Sequence, residues 1–294
     1  MAPVAPSPPS ILMPFTLITW NTQWCRGADG RVDPARIVRD ARALADFDVL
    51  CLQEIAVNFR DLPGSAGEDQ SALLGAALPG YHGVFGAATD QDDWRGGRRL
   101  FGNAIFSRLP VHQVYRHMLP WPADPAVPSM QRLALEVVVE ASFGPLRVTT
   151  THLEYYSTRQ RTAQVEALHR LHAEACGHAR SPRMPGDAGE PFAFTARPAT
   201  ALVCGDFNFA PDDPLWERLQ APGGFGAPRL VDAWPLVHGV ARHAPTVGLH
   251  DQRLLVTTWD YVFVTDDLAP RVRRIAVDAS TTASDHQPVL LELA

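Results

Sequence analysis

The sequence predicts an α/β fold from three features: strand-like apolar runs along the whole chain, capped helical segments between some of them, and polar residues where the strands stop. The runs are Phe15 to Trp20, Val49 to Leu52, Ala104 to Phe106, Leu133 to Val139, Leu146 to Thr150, Ala201 to Cys204, Tyr261 to Val264 and Val289 to Leu293. Each is apolar, β-branched or aromatic and bounded by turn residues, the pattern of a buried strand. Hydrophobic residues make up 46% of the 294 positions. That supports a sizeable core, and β-layered architectures of this length form one unit. One domain is therefore expected over 14–294, after a disordered Pro-, Ala- and Ser-rich lead over 1–13.

The helical segments carry their own start signals. Asp33 can cap a helix with Pro34 at its first position, and Ile37, Val38, Ala41 and Leu44 then share one apolar face. Ser157 or Thr158 starts a second, with Val165, Leu168 and Leu171 inward. Asp213 followed by Pro214 repeats the cap-then-proline device ahead of Leu215, Trp216 and Leu219. Residues 179–200, rich in Pro, Gly and Arg, and 239–256, polar without a clear period, read as loop excursions near a functional rim.

Charge and cysteine usage exclude several function classes. The net charge is -6, and every one of the 26 basic residues is an arginine. The densest groups, Arg95, Arg98 and Arg99, then Arg271, Arg273 and Arg274, read as solvated loop charges rather than a track for nucleic-acid phosphates. Cys25, Cys51, Cys176 and Cys204 show no C-x-x-C pairing, which removes the zinc-knuckle and dithiol redox motifs. Cys51 and Cys204 sit in apolar runs, as buried thiols of a reducing compartment do. The N-terminal stretch has neither the charged region of a signal peptide nor an apolar segment long enough to span a bilayer, so a cytoplasmic enzyme is expected.

The chemistry is written where the strands end. Phe15 to Trp20 runs into Asn21, Val49 to Leu52 into Gln53 and Glu54, Leu146 to Thr151 into His152, and Ala201 to Gly205 into Asp206 and Asn208. Trp259-Asp260-Tyr261 opens another strand, and Ser284-Asp285-His286 precedes the last. Gathering so many polar groups is expensive for a purely structural core. Period two places Asp206 and Asn208 on one side and Phe207 on the other. Glu54 with Asp206 or Asp285 suits a hard cation such as Mg²⁺, which takes one or two carboxylates, waters and a substrate phosphate. Ser284, Asp285 and His286 are adjacent and cannot form a nucleophilic relay with one another, whereas Asp260 can orient His286 to polarise a phosphoryl oxygen.

The ordered set Trp20-Asn21, Leu52-Gln53-Glu54, Gly102-Asn103-Ala104-Ile105-Phe106-Ser107-Arg108, Thr151-His152-Leu153, Gly205-Asp206-Phe207-Asn208, Trp259-Asp260-Tyr261 and Ser284-Asp285-His286 resembles the endonuclease/exonuclease/phosphatase superfamily. The resemblance covers nearly everything after residue 14. It implies a four-layer sandwich of two packed mixed β-sheets flanked by α-helices, with the site at one rim. It also implies that Glu54 binds Mg²⁺ (Mn²⁺ being the alternative) with Asn21 alongside and Asp285 at or just behind the metal. Asp206 would orient or deprotonate the attacking water, Asn208, His152 and His286 would hold the phosphate, and Asp260 would orient His286. Asn103 is a further substrate-contact candidate, although an amide there also reads as a turn or cap residue. Hydrolysis would be in-line displacement by water without a covalent intermediate.

The substrate class is constrained by what departs from one branch. The abasic-site DNA-repair branch of that superfamily places an asparagine where this chain has His152 and a tyrosine where it has Thr149. His152 is similar instead to the phosphodiesterase, sphingomyelinase-like and phosphatase branches. With the acidic charge, this favours a small or lipid-like phosphoester over duplex DNA, and a monomer without a membrane span is expected. A DNA endonuclease or exonuclease is the runner-up. A non-catalytic ligand-binding module on the same fold is the reading from another class, opposed by the intact Glu54, Asp206, Asp260, Asp285 and His286. Asp213 is expected as a helix cap, Asp232 as a structural polar group, and Tyr155 and Tyr156 stay unassigned.

Overall fold

A computed structural model describes residues 14–182, 184, 190–193, 195–251 and 255–294; the disordered lead expected over 1–13 lies outside the described residues. The strands are β1 (Phe15–Asn21), β2 (Val49–Val57), β3 (His82–Asp92), β4 (Arg98–Ser107), β5 (Val111–Met118), β6 (Leu133–Ala141), β7 (Gly144–His152), β8 (Ala201–Asp206), β9 (Leu230–Asp232), β10 (Asp260–Thr265), β11 (Val272–Val277) and β12 (Val289–Leu293). The helices are α1 (Pro34–Leu44), α2 (Gln70–Ala77), α3 (Thr158–Arg180), α4 (Pro214–Leu219) and α5 (Ala233–His238). Asp33, Ser157 and Asp213 each accept a hydrogen bond from the backbone of the first turn they precede, as the cap signals require.

The strands form two six-stranded sheets, ordered β11-β12-β1-β2-β4-β3 and β5-β6-β7-β8-β10-β9. Three apolar layers explain why the central strands read as continuous hydrophobic runs. Leu17, Cys51, Ile105, Leu135, Val148, Cys204 and Val262 fill the space between the sheets. The alternate residues of the same strands, such as Ile18, Leu50 and Leu52, pack outward against Ile37, Val38 and Ala41 of α1 and Leu74 of α2. On the other side Val203, Tyr261 and Phe263 meet Val165 and Leu168 of α3 and Leu215 and Leu219 of α4. Helix, sheet, sheet, helix is the expected four-layer α/β sandwich.

Strand direction gathers the site. Each sheet contains one parallel pair, β1 with β2 and β7 with β8. Parallel neighbours need a crossover, supplied by α1 and α3, and both strands of a pair then finish at the same rim. β10 runs antiparallel to β8 with Asp260 opposite Asp206, so its first residue meets the last of β8. β12 runs antiparallel to β1, which brings the segment before it to the end of β1.

Two backbone devices sharpen this delivery. Between Leu52 and Ile55 the pairing of β2 with β4 slips, and Glu54 takes a left-handed φ of 61°, so a bulge re-aims its carboxylate. Gly205 adopts φ +131°, and a Cβ there would stand 2.0 Å from the carbonyl oxygen of Thr151, its paired neighbour on β7. Neither strand can retreat from the contact without losing the register that sets Asp206 beside His152. Gly205→Ala should therefore cost about 3 kcal/mol or more. A urea unfolding midpoint equal to that of the unsubstituted chain would contradict this.

Several expectations are corrected. Strands β3, β5, β9 and β11 and helices α2 and α5 were not foreseen, whereas Asp232 is structural as expected and caps α5. Arg98 and Arg99 lie on β4, and Arg273 and Arg274 on β11, rather than in loops. Residues 195–200 lead into the start of β8, the end away from Asp206, so this stretch does not border the rim. The 239–256 stretch does reach the rim, where Val247 bridges His286 and the hydroxyl of Thr246 accepts from the Asp260 amide. Among the described residues, no helix is long and apolar enough to cross a membrane.

Candidate active site

Asn21 stands at the centre of the rim. Its Nδ2 donates to Glu54 Oε1 at 3.1 Å and to Asp206 Oδ2 at 2.9 Å, tying the ends of the two sheets together. Below it, Gln53 Nε2 donates to Thr19 Oγ1 on one sheet and Thr150 Oγ1 on the other, at 3.1 and 2.7 Å. The floor of the site is thus cross-braced between layers.

A left-handed turn follows Asn21. Gln23, Trp24 and Cys25 have φ of 47°, 45° and 59°, a conformation costing about 1–2 kcal/mol per residue for side chains other than glycine. It persists because Asn21 Oδ1 accepts from the Gln23 amide, Glu54 O from the Trp24 amide, and Trp24 O from Gln70 Nε2. The turn sends Gln23 Nε2 to Asp285 Oδ2 at 2.6 Å. Asn21 Oδ1 is thus engaged by the Gln23 amide while its Nδ2 steadies Glu54.

The two histidines are shifted in opposite directions. Burial, then Arg132 and His286, hold His152 well below the usual imidazole range, so it is neutral. Its Nε2 lies 3.4 Å from Asp206 Oδ2 and its Nδ1 3.9 Å from Glu54 Oε1. Burial would push His286 down too, but the carboxylates of Asp260 and Asp206 overcome it and raise its pKa to about 10. His286 Nδ1 donates to Asp260 Oδ2 at 2.8 Å, and its Nε2 points toward Asp206 Oδ2 at 3.7 Å. Environments that split two like groups in this way mark distinct roles. Asp206 itself is raised to about 7 by burial and by the Asp260 charge, against His286, Asn21 and the Asn208 amide, which lower it.

The donor chemistry accommodates a hard cation. Burial and then the facing Asp285 charge raise Glu54, and burial raises Asp285. Two desolvated carboxylates held beside each other are relieved by a divalent ion with oxygen preference. Asp206, Asp260 and His286 form a second, fully buried group whose ligand atoms lie within 4.8 Å of one another. There the hydrogen bond with His286 Nδ1 engages Asp260 Oδ2, while Asp260 Oδ1 is buried without a partner.

The structure brings Asn21, Glu54, His152, Asp206, Asp260, Asp285 and His286 to one rim. Asn208 stands one step behind it: β8 ends at Asp206, Asn208 takes φ 52°, its amide donates to Asp206 Oδ1 and its side chain to Leu153 O. Asn103 donates to Leu133 O at 3.3 Å and shares a small cleft with His152 and Arg132. Gln23 and Arg132 were missed by sequence reasoning. Arg132 immediately precedes the apolar run of β6, and a charge at that strand start was its available signal. Tyr155 proves to pack edge-on against Trp259 at 5.5 Å, and Trp259 lies 6.1 Å from His286, so the mouth is aromatic. Arg161 and Gln164 of α3 bind the turn after His152 through Glu154 and Tyr155 backbone atoms.

Comparison with known proteins places this geometry. No curated protein matches the chain in sequence. A crystal structure of an endonuclease/exonuclease/phosphatase from Beutenbergia cavernae is similar with a TM-score of 0.68 at 23% identity, covering 95% of this chain and 71% of that one. A Bacteroides thetaiotaomicron mannosyl-6-phosphatase aligns with a TM-score of 0.63 at 18% identity, covering 95% of this chain and 99% of that one. A 3′ phosphatase from Neisseria bound to product DNA hairpin gives 0.59 at 21%, covering 95% and 99%. At such identities the likeness is one of fold. The family model described as Endonuclease/Exonuclease/phosphatase family matches residues 18–286, and the chain belongs to that family of phosphoesterases.

Proposed function

We propose that this chain is a Mg²⁺-dependent hydrolase that cleaves a phosphodiester or phosphomonoester by in-line attack of water. The observation that carries the reading is Asp206, buried between the Asn21–Glu54 pair and the His286–Asp260 pair. Glu54 and Asp285 would hold the cation, with Asn21 and Gln23 fixing their carboxylates. Bound there, Mg²⁺ (or Mn²⁺) supplies Lewis-acid stabilisation of charge on the phosphoryl oxygens. Asp206 orients the attacking water and accepts its proton. His286, kept protonated by Asp260, donates to a non-bridging oxygen, and His152 flanks the same group, with Asn208 holding Asp206 from behind. No nucleophilic side chain forms a bond to phosphorus.

A small or lipid-like substrate is favoured over duplex DNA. The net charge of -6 without a single lysine repels a polyanion, and the aromatic mouth of Trp259 and Tyr155 suits an apolar group beside the phosphate. The four cysteines, all free and buried, support a cytoplasmic setting. The deciding experiment is turnover of p-nitrophenyl phosphate, bis-p-nitrophenyl phosphate, a lipid phosphodiester and plasmid DNA, with Mg²⁺ and with chelator. Hydrolysis of the small or lipid esters that chelator abolishes is expected. Nicking of plasmid without ester turnover would replace this reading with a nuclease, and silence across the panel would overturn it in favour of a binding module.

A further inference from the structure

We propose that Arg132 binds an unesterified oxygen of the scissile phosphoryl group and thereby selects phosphomonoesters over phosphodiesters; the proposal rests on the hydrolase reading above. Arg132 is only 6% exposed and enters the rim from the start of β6. Its Nε donates to Glu154 Oε2 at 3.1 Å, a bond that fixes the side chain. Glu154 is in turn immobilised, for its Oε1 accepts from the Tyr156 amide and its own amide donates to Gln164 Oε1. The guanidinium is therefore held in one orientation before any ligand arrives.

One of its donors is left over. Nη1 is buried and has no hydrogen-bond partner. A buried donor without a partner keeps its full desolvation cost, larger for a charged group, so a purely structural arginine here would be poorly served. Arg132 borders a small cleft with Asn103, Met130 and His152. His152 in turn lies 3.4 Å from Asp206 Oδ2, which puts the cleft directly beside the attacking-water position. The Arg132 charge reaches both flanks of the site: it adds to the burial that lowers His152 and weakly opposes the burial and Asp285 charge that raise Glu54.

The geometry has a consequence for substrate class. A phosphomonoester near neutral pH carries close to two negative charges on three unesterified oxygens, whereas a diester has one charge on two. His286 from one side and the cation held by Glu54 and Asp285 would occupy the two oxygens both classes share. A third fixed cation on the His152 side matches only the oxygen that a diester has esterified, and there the second ester group would meet a charged, desolvated guanidinium. Charge-assisted bonds of this kind are worth about 1.5–3 kcal/mol, or roughly 10- to 100-fold.

The test compares the unsubstituted chain with Arg132→Gln and Arg132→Lys. Two quantities are read: the ratio of kcat/KM for p-nitrophenyl phosphate to that for bis-p-nitrophenyl phosphate, and the Kd of inorganic phosphate by calorimetry in Mg²⁺. The unsubstituted chain should prefer the monoester. Arg132→Gln should lower the ratio at least about 10-fold and weaken phosphate binding by a similar factor, with Arg132→Lys intermediate on both counts. An unchanged ratio with unchanged phosphate affinity, or a diester preference in the unsubstituted chain, overturns the proposal. If no ester is turned over, the hydrolase reading fails by itself, and phosphate affinity still decides whether Arg132 is an anion ligand. Should Arg132→Gln not fold, as far-ultraviolet circular dichroism would reveal, Arg132→Lys carries the comparison.

Discussion

Asp206→Asn is expected to lower kcat by about 10²- to 10⁴-fold while leaving the fold intact. The range is that for loss of a positioned general base. Asparagine keeps the shape, and its side-chain oxygen can still accept from the Asn208 amide at the 2.9 Å position Asp206 Oδ1 now fills, while its Nδ2 replaces the oxygen that accepts from Asn21 Nδ2. It cannot take a proton from water. The carboxyl of Asp206, raised to about 7 by burial and Asp260, is close to the pKa at which a base both stays available and pulls effectively at neutral pH. His286→Ala should fall in the same range, and the double variant should lose far less than the product of the two, because both act on one transition state. Steady-state kinetics on the best ester of the panel decides it. A kcat within threefold of the unsubstituted chain would remove Asp206 from the chemistry.

How much of this was legible follows from where each strand sits. The runs read from sequence are the inner strands, buried on both faces, whose every residue must be apolar or satisfied. The strands not foreseen, β3, β5, β9 and β11, are the four edges of the two sheets. An edge strand mixes exposed and partly buried positions, as in the Val111–Met118 stretch with its Gln, Arg and two His residues, so it shows no continuous apolar run. Helix α2 lacked the Pro that marks α1 and α4, although Asp69 caps it in the same way.

The site was legible for the same reason the inner strands were. A polar residue at the end of an apolar run is conspicuous, which exposed Asn21, Glu54, His152, Asp206 and Asp260. What could not be read was anything set by left-handed backbone. The turn at Gln23 to Cys25 and the bulge at Glu54 use residues with no glycine to announce them, so the contact of Gln23 with Asp285 has no sequence signature. Alternation also failed past Asp206, where β8 ends and Asn208 turns into the left-handed region. Arg132 was missed because a lone arginine before a strand reads as a solvated start.

The largest stability effect is expected far from the chemistry, at Glu136. Its Oε2 accepts from Arg147 Nη1 at 2.9 Å and its Oε1 from Arg197 Nε at 3.0 Å, and all three side chains are no more than 3% exposed. Burial alone would raise Glu136, but the two guanidinium charges outweigh it and lower its pKa. Glu136→Gln strands the buried Arg147 and leaves Arg197 only the more exposed Glu174, so unfolding free energy should drop by about 3–5 kcal/mol, with kcat of the folded fraction unchanged. The same cluster makes the protein acid-labile. His172 accepts from Arg147 Nη2 at its Nδ1 and donates to Pro228 O from Nε2, which fixes the neutral tautomer; burial and then Arg147 lower its pKa from 6.5 to about 4. In the folded state both groups bind protons less readily than in the unfolded one. Their stabilisation is therefore complete above pH 6.5, falls first through His172 between 6.5 and about 4, and falls further as Glu136 titrates below the usual glutamate range. Fully developed, the His172 share is about 3 kcal/mol. His172→Gln keeps both hydrogen bonds and removes the titration, so the difference in urea midpoint between the two chains should depend on pH, with the unsubstituted chain losing ground from 7.5 to 5. Parallel midpoints across that window would mean that burial and Arg147 do not hold His172 neutral.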